Sequence, residues 1–495
     1  MKTKYFLPLA IIVSLLVGAG MMYVGVQVIE GNEAAPVIDQ HDNGEIADSE
    51  SEKGETSQQS VSSEEQMEKL KKTYEMVMES YVEDIDESEL LEGAINGMLE
   101  SLEDPYSVYM DEETAREFMD SLDSSFEGIG AEVSMSNGKV TIVAPFRDSP
   151  AEKAGLRPND QILEVDGNDI DGLSLYDAVL QIRGEKGTTV TLTVQRPGVN
   201  DLLEIDVIRD EIPIETVYSD LVEENDKKIG VIDIASFSQN TSERFEEELI
   251  KLEDEGIDGL VIDVRGNPGG FLQSVEEIGS LIIPGGEPIV QIEDREGNRT
   301  RQISNLQEDK EYPMVALINE GSASASEILA AAIKEAGGHE VVGRSTFGKG
   351  TVQQTLQIGD GSELKLTVYK WLTSDGNFIN EEGVDPTVEV DQPDFFYVSP
   401  INVEDESFEL DMNNDNIENA QIMLEGIGYD PGRSDGYFSE ETEEAVREFQ
   451  ADHGLDVTGE INEETAELIQ QSVFEAVQDR EYDLQFKKAI ELLSK

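Results

Sequence analysis

Leu260-Val-Ile-Asp-Val264 followed by Arg265-Gly-Asn-Pro-Gly-Gly270 sets the architecture of the middle of this chain. The first five residues form a short apolar run, the pattern of a buried strand. The glycine-rich turn then opens into an amphipathic helical stretch, Phe271 to Ile282. Working outward, strand-like runs recur at Ile229 to Ile234 and Met314 to Ile318, and helical runs at Thr241 to Asp254 and Ala325 to Ala336. Strands alternating with helices predict an α/β core over residues 211–400. A glycine-rich turn between strand and helix brings backbone N–H groups close to a ligand, and a helix start favours negative charge. Two such donors are what a tetrahedral oxyanion requires. Gly269 or Gly270 is the candidate for one and the backbone of Ala325 for the other; on the turn alone, a tight connection explains the glycines equally well.

A nucleophile and a base follow at short range. Gly321-Ser322-Ala323-Ser324-Ala325-Ser326-Glu327 is a small-residue serine run, and Phe347-Gly348-Lys349-Gly350-Thr351 lies 25 positions beyond Ser324. The chain has no cysteine and three histidines, of which only His339 is near the serines. A Ser-His-Asp site is hard to build from these, whereas a Ser-Lys dyad is available. A serine hydroxyl is a weak nucleophile until a base takes its proton. A lysine at its usual pKa of about 10.4 is protonated, and burial lowers that value. Glycines on both sides of Lys349 suit a turn that delivers an amine into a cleft. Gln353 is four residues on, and positions i and i+4 share a face in a strand or a helix, so its carboxamide is a candidate to orient the amine. On spacing alone, Lys349 as one surface cation among 35 basic residues and the serine run as a plain helix start remain open.

These segments, with Asp263 to Phe271, resemble the carboxyl-terminal processing proteases, or tail-specific proteases. Asp104-Pro-Tyr-Ser107 and Gly383-Val-Asp-Pro386 also resemble motifs of that family, and the likeness extends over most of the chain. The resemblance implies a crotonase-like α/β protease core. It also implies Ser324 as nucleophile, Lys349 as general base and Gln353 as its support. All three positions match the family pattern.

Upstream, residues 123–210 read as a β-rich PDZ domain. Phe126-Glu-Gly-Ile-Gly-Ala131 resembles the loop whose amides cradle a peptide carboxylate, making Gly128, Ile129 and Gly130 candidate peptide-binding residues. The strand from Ala131 can pair with an extended peptide, and a helix from Leu175 to Ile182 forms the other groove wall. Arg183 ends that helix, either contacting the core or the peptide terminus or standing as an ordinary solvated arginine. Residues 64–122 read as an amino-terminal helical region, with Met67, Leu70, Tyr74, Val77, Met78 and Tyr81 at helical spacing. That stripe serves either core packing or, as the family implies, a homodimer contact. Downstream, residues 408–473 resemble the small three-helix peptidoglycan-binding module, with a generic helical bundle as the alternative, and 474–495 read as a carboxyl-terminal helix.

At the amino terminus, Lys2 and Lys4 precede an apolar stretch from about Tyr5 to Ile29. About 20 apolar residues span a bilayer, and the lysines place the short side in the cytoplasm. Residues 1–30 are therefore expected to be a single-pass cell-membrane anchor, favoured over a cleaved signal peptide because no clean cleavage site follows. Residues 31–63 form an acidic linker too polar to fold. The formal charge of −73 argues against nucleic-acid partners and suits a surface facing a saline or alkaline medium outside the cell. No metal and no cofactor is expected. The whole is multidomain α/β: anchor, PDZ, protease core and small helical domain. The expected function is a membrane-anchored serine endopeptidase that cuts unstructured protein carboxyl-terminal tails on the extracellular side, with peptidoglycan as a further partner and a role in signalling. The alternative is a non-enzymatic scaffold with an inert protease fold.

Overall fold

The computed structural model describes residues 63–122, 125–136, 138–146, 149–173, 175–197, 199, 202–403 and 407–495. The anchor expected at 1–30 and all but the last residue of the linker at 31–63 lie outside them. No helix among the described residues is long and apolar enough to cross a membrane. The chain divides into two compact units, one of residues up to Ala94 with Ser125–Pro213, the other of Ile95–Ser124 with Ile214–Lys495.

In the first unit, helix α1 (Ser63–Ser80) leaves Met67, Leu70, Met78 and Tyr81 exposed. The stripe therefore does not serve this unit's own core. The next helix, α2 (Glu87–Glu100), begins in this unit, and Tyr74 on α1 donates its hydroxyl to Glu87 at 2.8 Å. The strand β1 (Val108–Met110) and helix α3 (Glu112–Leu122) come next in the chain and belong to the second unit.

The remainder of the first unit is a β-rich domain. A short pair, β2 (Ser125–Gly128) with β9 (Asp210–Pro213), joins its two ends. The main sheet runs β3 (Ala131–Ser136), β4 (Lys139–Pro145), β5 (Gln161–Val165), β7 (Thr189–Gln195) and β8 (Leu203–Ile208), with β6 (Asn168–Asp169) beside β5. Helices α4 (Pro150–Ala154) and α5 (Leu175–Ile182) contribute Ala151, Ala178 and Ile182 to the core of Ile142, Ile162, Leu192 and Val194. Strand β3 ends the sheet order, so its outer edge pairs with no further strand among the described residues. Because β9 pairs with β2, the domain closes at Pro213, three residues later than the expected boundary.

The second unit is built on a six-stranded sheet ordered β10 (Val217–Glu224), β11 (Lys227–Ile234), β12 (Gly259–Asp263), β15 (Met314–Ile318), β16 (Glu340–Gly343) and β19 (Val388–Glu389). Only the β10–β11 pair is antiparallel; the others are parallel. Parallel strands need crossovers, which the helices α6 (Thr241–Asp254), α7 (Leu272–Ile282) and α8 (Ala325–Glu335) supply. They bury one apolar cluster with Ile232, Ile262 and Ala316. The opposite face, Val231, Val261, Val315 and Leu317, is covered by Phe486, Ala489, Ile490 and Leu493 of a helix at the far end of the sequence. Sheet residues buried on both sides explain the near-continuous apolar runs.

A second, antiparallel sheet is ordered β1, β18 (Glu363–Leu372), β13 (Pro288–Glu293), β14 (Arg299–Ile303), with β17 (Thr351–Gln357) on the other side of β18. Residues 64–122, expected as one helical region, are thus divided: after Glu100 the chain leaves the helix and, past the Asp104–Ser107 turn, adds β1 to this sheet, register Val108 to Lys365. The last domain holds α9 (Asp415–Gly426), α10 (Glu440–His453) and α11 (Glu463–Gln478) around Phe438, Val446, Phe449 and Ile469. The carboxyl-terminal helix expected at 474–495 is not continuous. Its first residues finish α11, and the covering helix α12 (Leu484–Leu493) starts anew at Asp483, whose side chain accepts from Phe486 N.

Candidate active site

Ser322, Ser324 and Ser326 have different fates. The Ser322 hydroxyl donates to the Val264 carbonyl at 2.8 Å and that of Ser326 to the Asn267 carbonyl at 2.9 Å, both from fully buried positions. These two serines stitch the serine run to the glycine-rich turn after β12. Ser324, partly exposed, is the residue preceding α8. Its backbone sits at φ 55° and ψ −110°, a region a side-chain-bearing residue rarely occupies. Strain of this kind at a strand-to-helix turn costs on the order of 1–3 kcal/mol and persists only where the surroundings enforce it.

What enforces it is Glu327. This carboxylate has no solvent exposure. Its Oε2 accepts from Ser324 N at 2.7 Å and from Lys349 N at 2.9 Å. Its Oε1 accepts from the Thr346 hydroxyl at 2.6 Å and from Gly348 N at 2.7 Å. One carboxylate thereby fastens the serine turn to the Gly348-Lys349-Gly350 turn. Further braces are Val384 N donating to Thr346 Oγ1 at 2.7 Å and Trp371 Nε1, on a fully buried indole, donating to the Lys349 carbonyl at 2.7 Å. The first comes from the Gly383-Val-Asp-Pro386 motif. Sequence reasoning did not pick out Glu327, although Ser324-x-x-Glu327 has the spacing of a helix capping box.

Burial pushes the Lys349 ammonium down to about 8, helped by the positive charge of Lys365, while Glu327 and Asp104 act in the other direction. The Nζ stands 4.8 Å from the centre of the Tyr106 ring. A lysine in this state is partly neutral near neutrality, as a general base must be. Strand alternation does not relate Gln353 to Lys349. Lys349 precedes β17, and the β17–β18 register shifts between Val352 and Gln353. The Gln353 amide nitrogen donates to Thr351 and Thr367 hydroxyls, each at 3.0 Å.

The turn after β12 lies against the serine. A Cβ on Gly269 would stand 2.8 Å from the Ser324 Cβ and 3.0 Å from Ala325 N. On Gly270 it would stand 2.1 Å from the Phe237 carbonyl oxygen, so no side chain fits there. Of the two glycines only one has its N–H available. Gly269 N donates to the buried Asn267 Oδ1 at 2.8 Å, whereas Gly270 N and Ala325 N have no acceptor among the described residues. His339 is excluded as a base by position. Its ring lies beside Met314 N, at the start of β15, while Ser324 follows the end of that strand.

Behind these loops is a cavity of about 540 Å³ bordered by Asp263, Arg265, Gly266, Asn319, Gly321 and Asp483. Arg265 there donates to both carboxylate oxygens of Asp483, at 3.0 and 2.8 Å, and to Asp263. No group of acidic or histidine residues able to hold a metal ion occurs among the described residues.

In the other unit, Gly128, Ile129 and Gly130 connect β2 to the edge strand β3. The Ile129 carbonyl accepts from Ala151 N and that of Gly130 from Phe146 N, which fixes the loop from its carbonyl side. The Arg183 guanidinium lies over the Phe126 ring at 4.7 Å from its centre, with its stem against Gly128. It is exposed to solvent and borders the candidate carboxylate loop within this unit.

Comparison with known proteins assigns these parts. Residues 228–390 match the model of peptidase family S41, 128–207 that of the PDZ domain and 413–469 that of a peptidoglycan binding domain. Residues 15–114 match the model described as the activating protease CtpB N-terminal domain. The chain is 47% identical over 484 residues to the carboxy-terminal processing protease CtpB of Bacillus subtilis, covering 97% of each. It is 39% identical over 427 residues to CtpA of the same organism, covering 86% of this chain and 90% of that protein. Among solved structures, the photosystem II D1 C-terminal processing protease is 30% identical, with a TM-score of 0.42, covering 65% of this chain and 86% of that one. With S41, PDZ and peptidoglycan-binding domains in one chain, and this likeness along its length, the chain belongs to the carboxy-terminal processing proteases, the serine peptidases of family S41.

Proposed function

We propose that this peptidase works through a Ser324–Lys349 dyad, taking its substrates by their carboxyl-terminal tails and cutting them outside the cytoplasm from a membrane-anchored position. The observation that carries the dyad is the buried Glu327 carboxylate, which holds the backbones of Ser324 and Lys349 on a single oxygen beside a lysine whose affinity for protons is lowered.

In this reading neutral Lys349 accepts the Ser324 hydroxyl proton as Oγ bonds to the scissile carbonyl carbon, and the carbonyl electron pair moves to oxygen. Gly270 N and Ala325 N donate to that oxyanion at the start of α8, where the helix dipole adds to their effect. Collapse of the intermediate breaks the C–N bond, and the Lys349 ammonium returns the proton to the leaving amine. Water then releases the acyl group by the same steps in reverse order. Gln353, its amide nitrogen committed to two threonines, offers its amide oxygen to the lysine. The outer edge of β3 and the Gly128–Gly130 amides support recognition of an extended peptide ending in a carboxylate. Tails with apolar last residues suit the groove, and peptidoglycan suits the last domain as a partner. The apolar segment before Glu30 supports the anchor, and the exposed stripe of α1 supports a homodimer contact. Nothing in the described site favours an inert scaffold.

The test is digestion of an unfolded protein by the intact enzyme and by its Ser324→Ala and Lys349→Ala variants, each first shown to be folded by circular dichroism. Both variants are expected to lose at least 10³-fold in kcat. Activity in either one near that of the parent would refute the dyad.

A further inference from the structure

The Asp104-Pro105-Tyr106-Ser107 turn lies far from the dyad in sequence and is not accounted for by the reading above. It leaves helix α2 and leads into β1, the strand paired with β18. Its geometry is tightly specified. The Asp104 carboxylate accepts from Tyr106 N at 3.1 Å and from the Ser107 hydroxyl at 2.6 Å. The buried Ser107 Oγ in turn accepts from Thr367 N at 3.0 Å on β18. Thr367 Oγ1 accepts from Gln353, the candidate support of the lysine. The turn is thus pinned to the strand that lies beside the lysine turn, and Tyr106 is aimed by it at Lys349 Nζ.

We propose that this turn is a wall of the lysine site, in which Tyr106 is a positioning residue that holds water off the Lys349 amine and Asp104 is the anion that offsets the charge on that amine once it has taken the serine proton. The proposal rests on Lys349 being the base. Two requirements conflict at such a base. It must be neutral before the step, which a dry site favours, and it must carry a proton during the step, which a nearby anion favours. A single turn that presents a ring face and a carboxylate meets both. The charged and titratable groups acting on the pair are the turn's own Asp104 and, from other segments, Glu327 on α8, Lys365 on β18 and Glu381 in the loop after β18. Burial works to raise the Asp104 carboxyl, yet bonds from Ser107, Thr367 and Tyr106 N, with the charge of Lys349, hold it below its ordinary value, so it stays ionised where the enzyme works.

The two residues therefore act on the lysine in opposite directions, and that opposition is the test. The limb of kcat/KM against pH is measured for the full-length enzyme on one unfolded substrate with Tyr106→Phe, Tyr106→Ala and Asp104→Asn, alongside Lys349→Ala. Tyr106→Phe keeps the ring and should keep the limb, with activity within about threefold of the parent. Tyr106→Ala admits water and should move the limb to higher pH by about one unit, lowering activity about tenfold at neutral pH and restoring it in alkali. Asp104→Asn, nearly the same in shape, should move the limb to lower pH while reducing the plateau. A purely structural role would lower melting temperature and plateau in both variants without moving either limb. Unmoved limbs in an enzyme that Lys349→Ala inactivates would overturn the proposal and leave the dyad standing. An active Lys349→Ala enzyme would overturn both. Should Tyr106→Ala fail to fold, the direction of the Asp104→Asn shift decides alone: a shift to higher pH, or none, is against the proposal.

Discussion

At Glu327 four donors converge on one carboxylate with no contact with water. Glu327→Gln replaces one acceptor oxygen with an NH2 group facing an N–H, which leaves buried donors unpaired. We expect it to remain folded but to lose about 2–4 kcal/mol of stability, and to lose at least 10²-fold in kcat, because the strained Ser324 backbone is no longer held. Urea unfolding and cleavage of an unfolded substrate measure the two. Ser322→Ala and Ser326→Ala remove hydroxyls that only tie loops together, so each should cost about 1 kcal/mol and keep most of the activity. For Lys349 the sign follows from a folded value of about 8 against an ordinary 10.5. Below pH 8 the lysine is charged in both states, and the folded state alone bears its dehydration. Lys349→Met should therefore be inactive yet more stable at pH 7, by roughly 1–3 kcal/mol after allowance for residual hydration. That gain should fade as pH rises from 8 to 10.5, where the parent lysine loses its charge in both states; a gain constant with pH would refute the assignment of the shift. Ser324 and Lys349 stood out as candidates through the family resemblance, since their spacing alone left the choice open. Glu327 was visible only as a spacing, and its partners at 346 to 349 are brought to it by tertiary structure.

Element boundaries depended on the same distinction between local and distant causes. Strand Met314–Ile318 and helices Thr241–Asp254 and Leu175–Ile182 begin and end where the sequence pattern places them, since their apolar periodicity and neighbouring turns are local signals. The end of the chain did not follow. From residue 474 onward the periodicity reads as one helix, but α11 ends at Gln478 and α12 starts anew after Asp483. That carboxylate accepts from Phe486 N, from Gln392 and from both guanidinium branches of Arg265. Arg265 begins the turn that carries Gly269 and Gly270. Burial works against its charge, and Asp263 and Asp483 outweigh it, raising the guanidinium above its ordinary value. Helix α12 is thus capped by the residue that steadies, through Arg265, the turn carrying Gly269 and Gly270. An Asp483→Ala enzyme leaves Arg265 half paired and α12 without its cap, and should be about 3 kcal/mol less stable. Its kcat should fall more than its KM rises, since the proposed oxyanion donors act only in the transition state. Full activity in this variant would show that the turn needs no support from the last helix.

Over the whole molecule, charge has the longest reach. With 108 acidic and 35 basic residues the chain carries a formal −73. A field of that size reaches every approaching peptide when salt is scarce, because the screening length is about 30 Å at 0.01 M ionic strength and about 8 Å at 0.15 M. The recognition proposed above nevertheless calls for an anion, the free carboxylate of a tail, to reach the Gly128–Gly130 loop. Local amide dipoles act at contact distance; the net field acts on the approach. The two are separable by experiment. Take three unfolded substrates identical except for their last ten residues, made acidic, neutral or basic, each ending in the same apolar triplet with a free carboxylate. At about 0.01 M salt the basic tail should be cut fastest and the acidic tail slowest, by about tenfold or more in kcat/KM. Raising salt to about 0.15 M should bring the three together, speeding the acidic tail and slowing the basic one. Amidation of the terminal carboxylate should slow all three at both salt concentrations, because it removes the contact rather than the approach. An acidic tail cut as fast as a basic one at low salt would mean that the charge of the chain does not govern access to its groove, and that −73 is a matter of solubility alone.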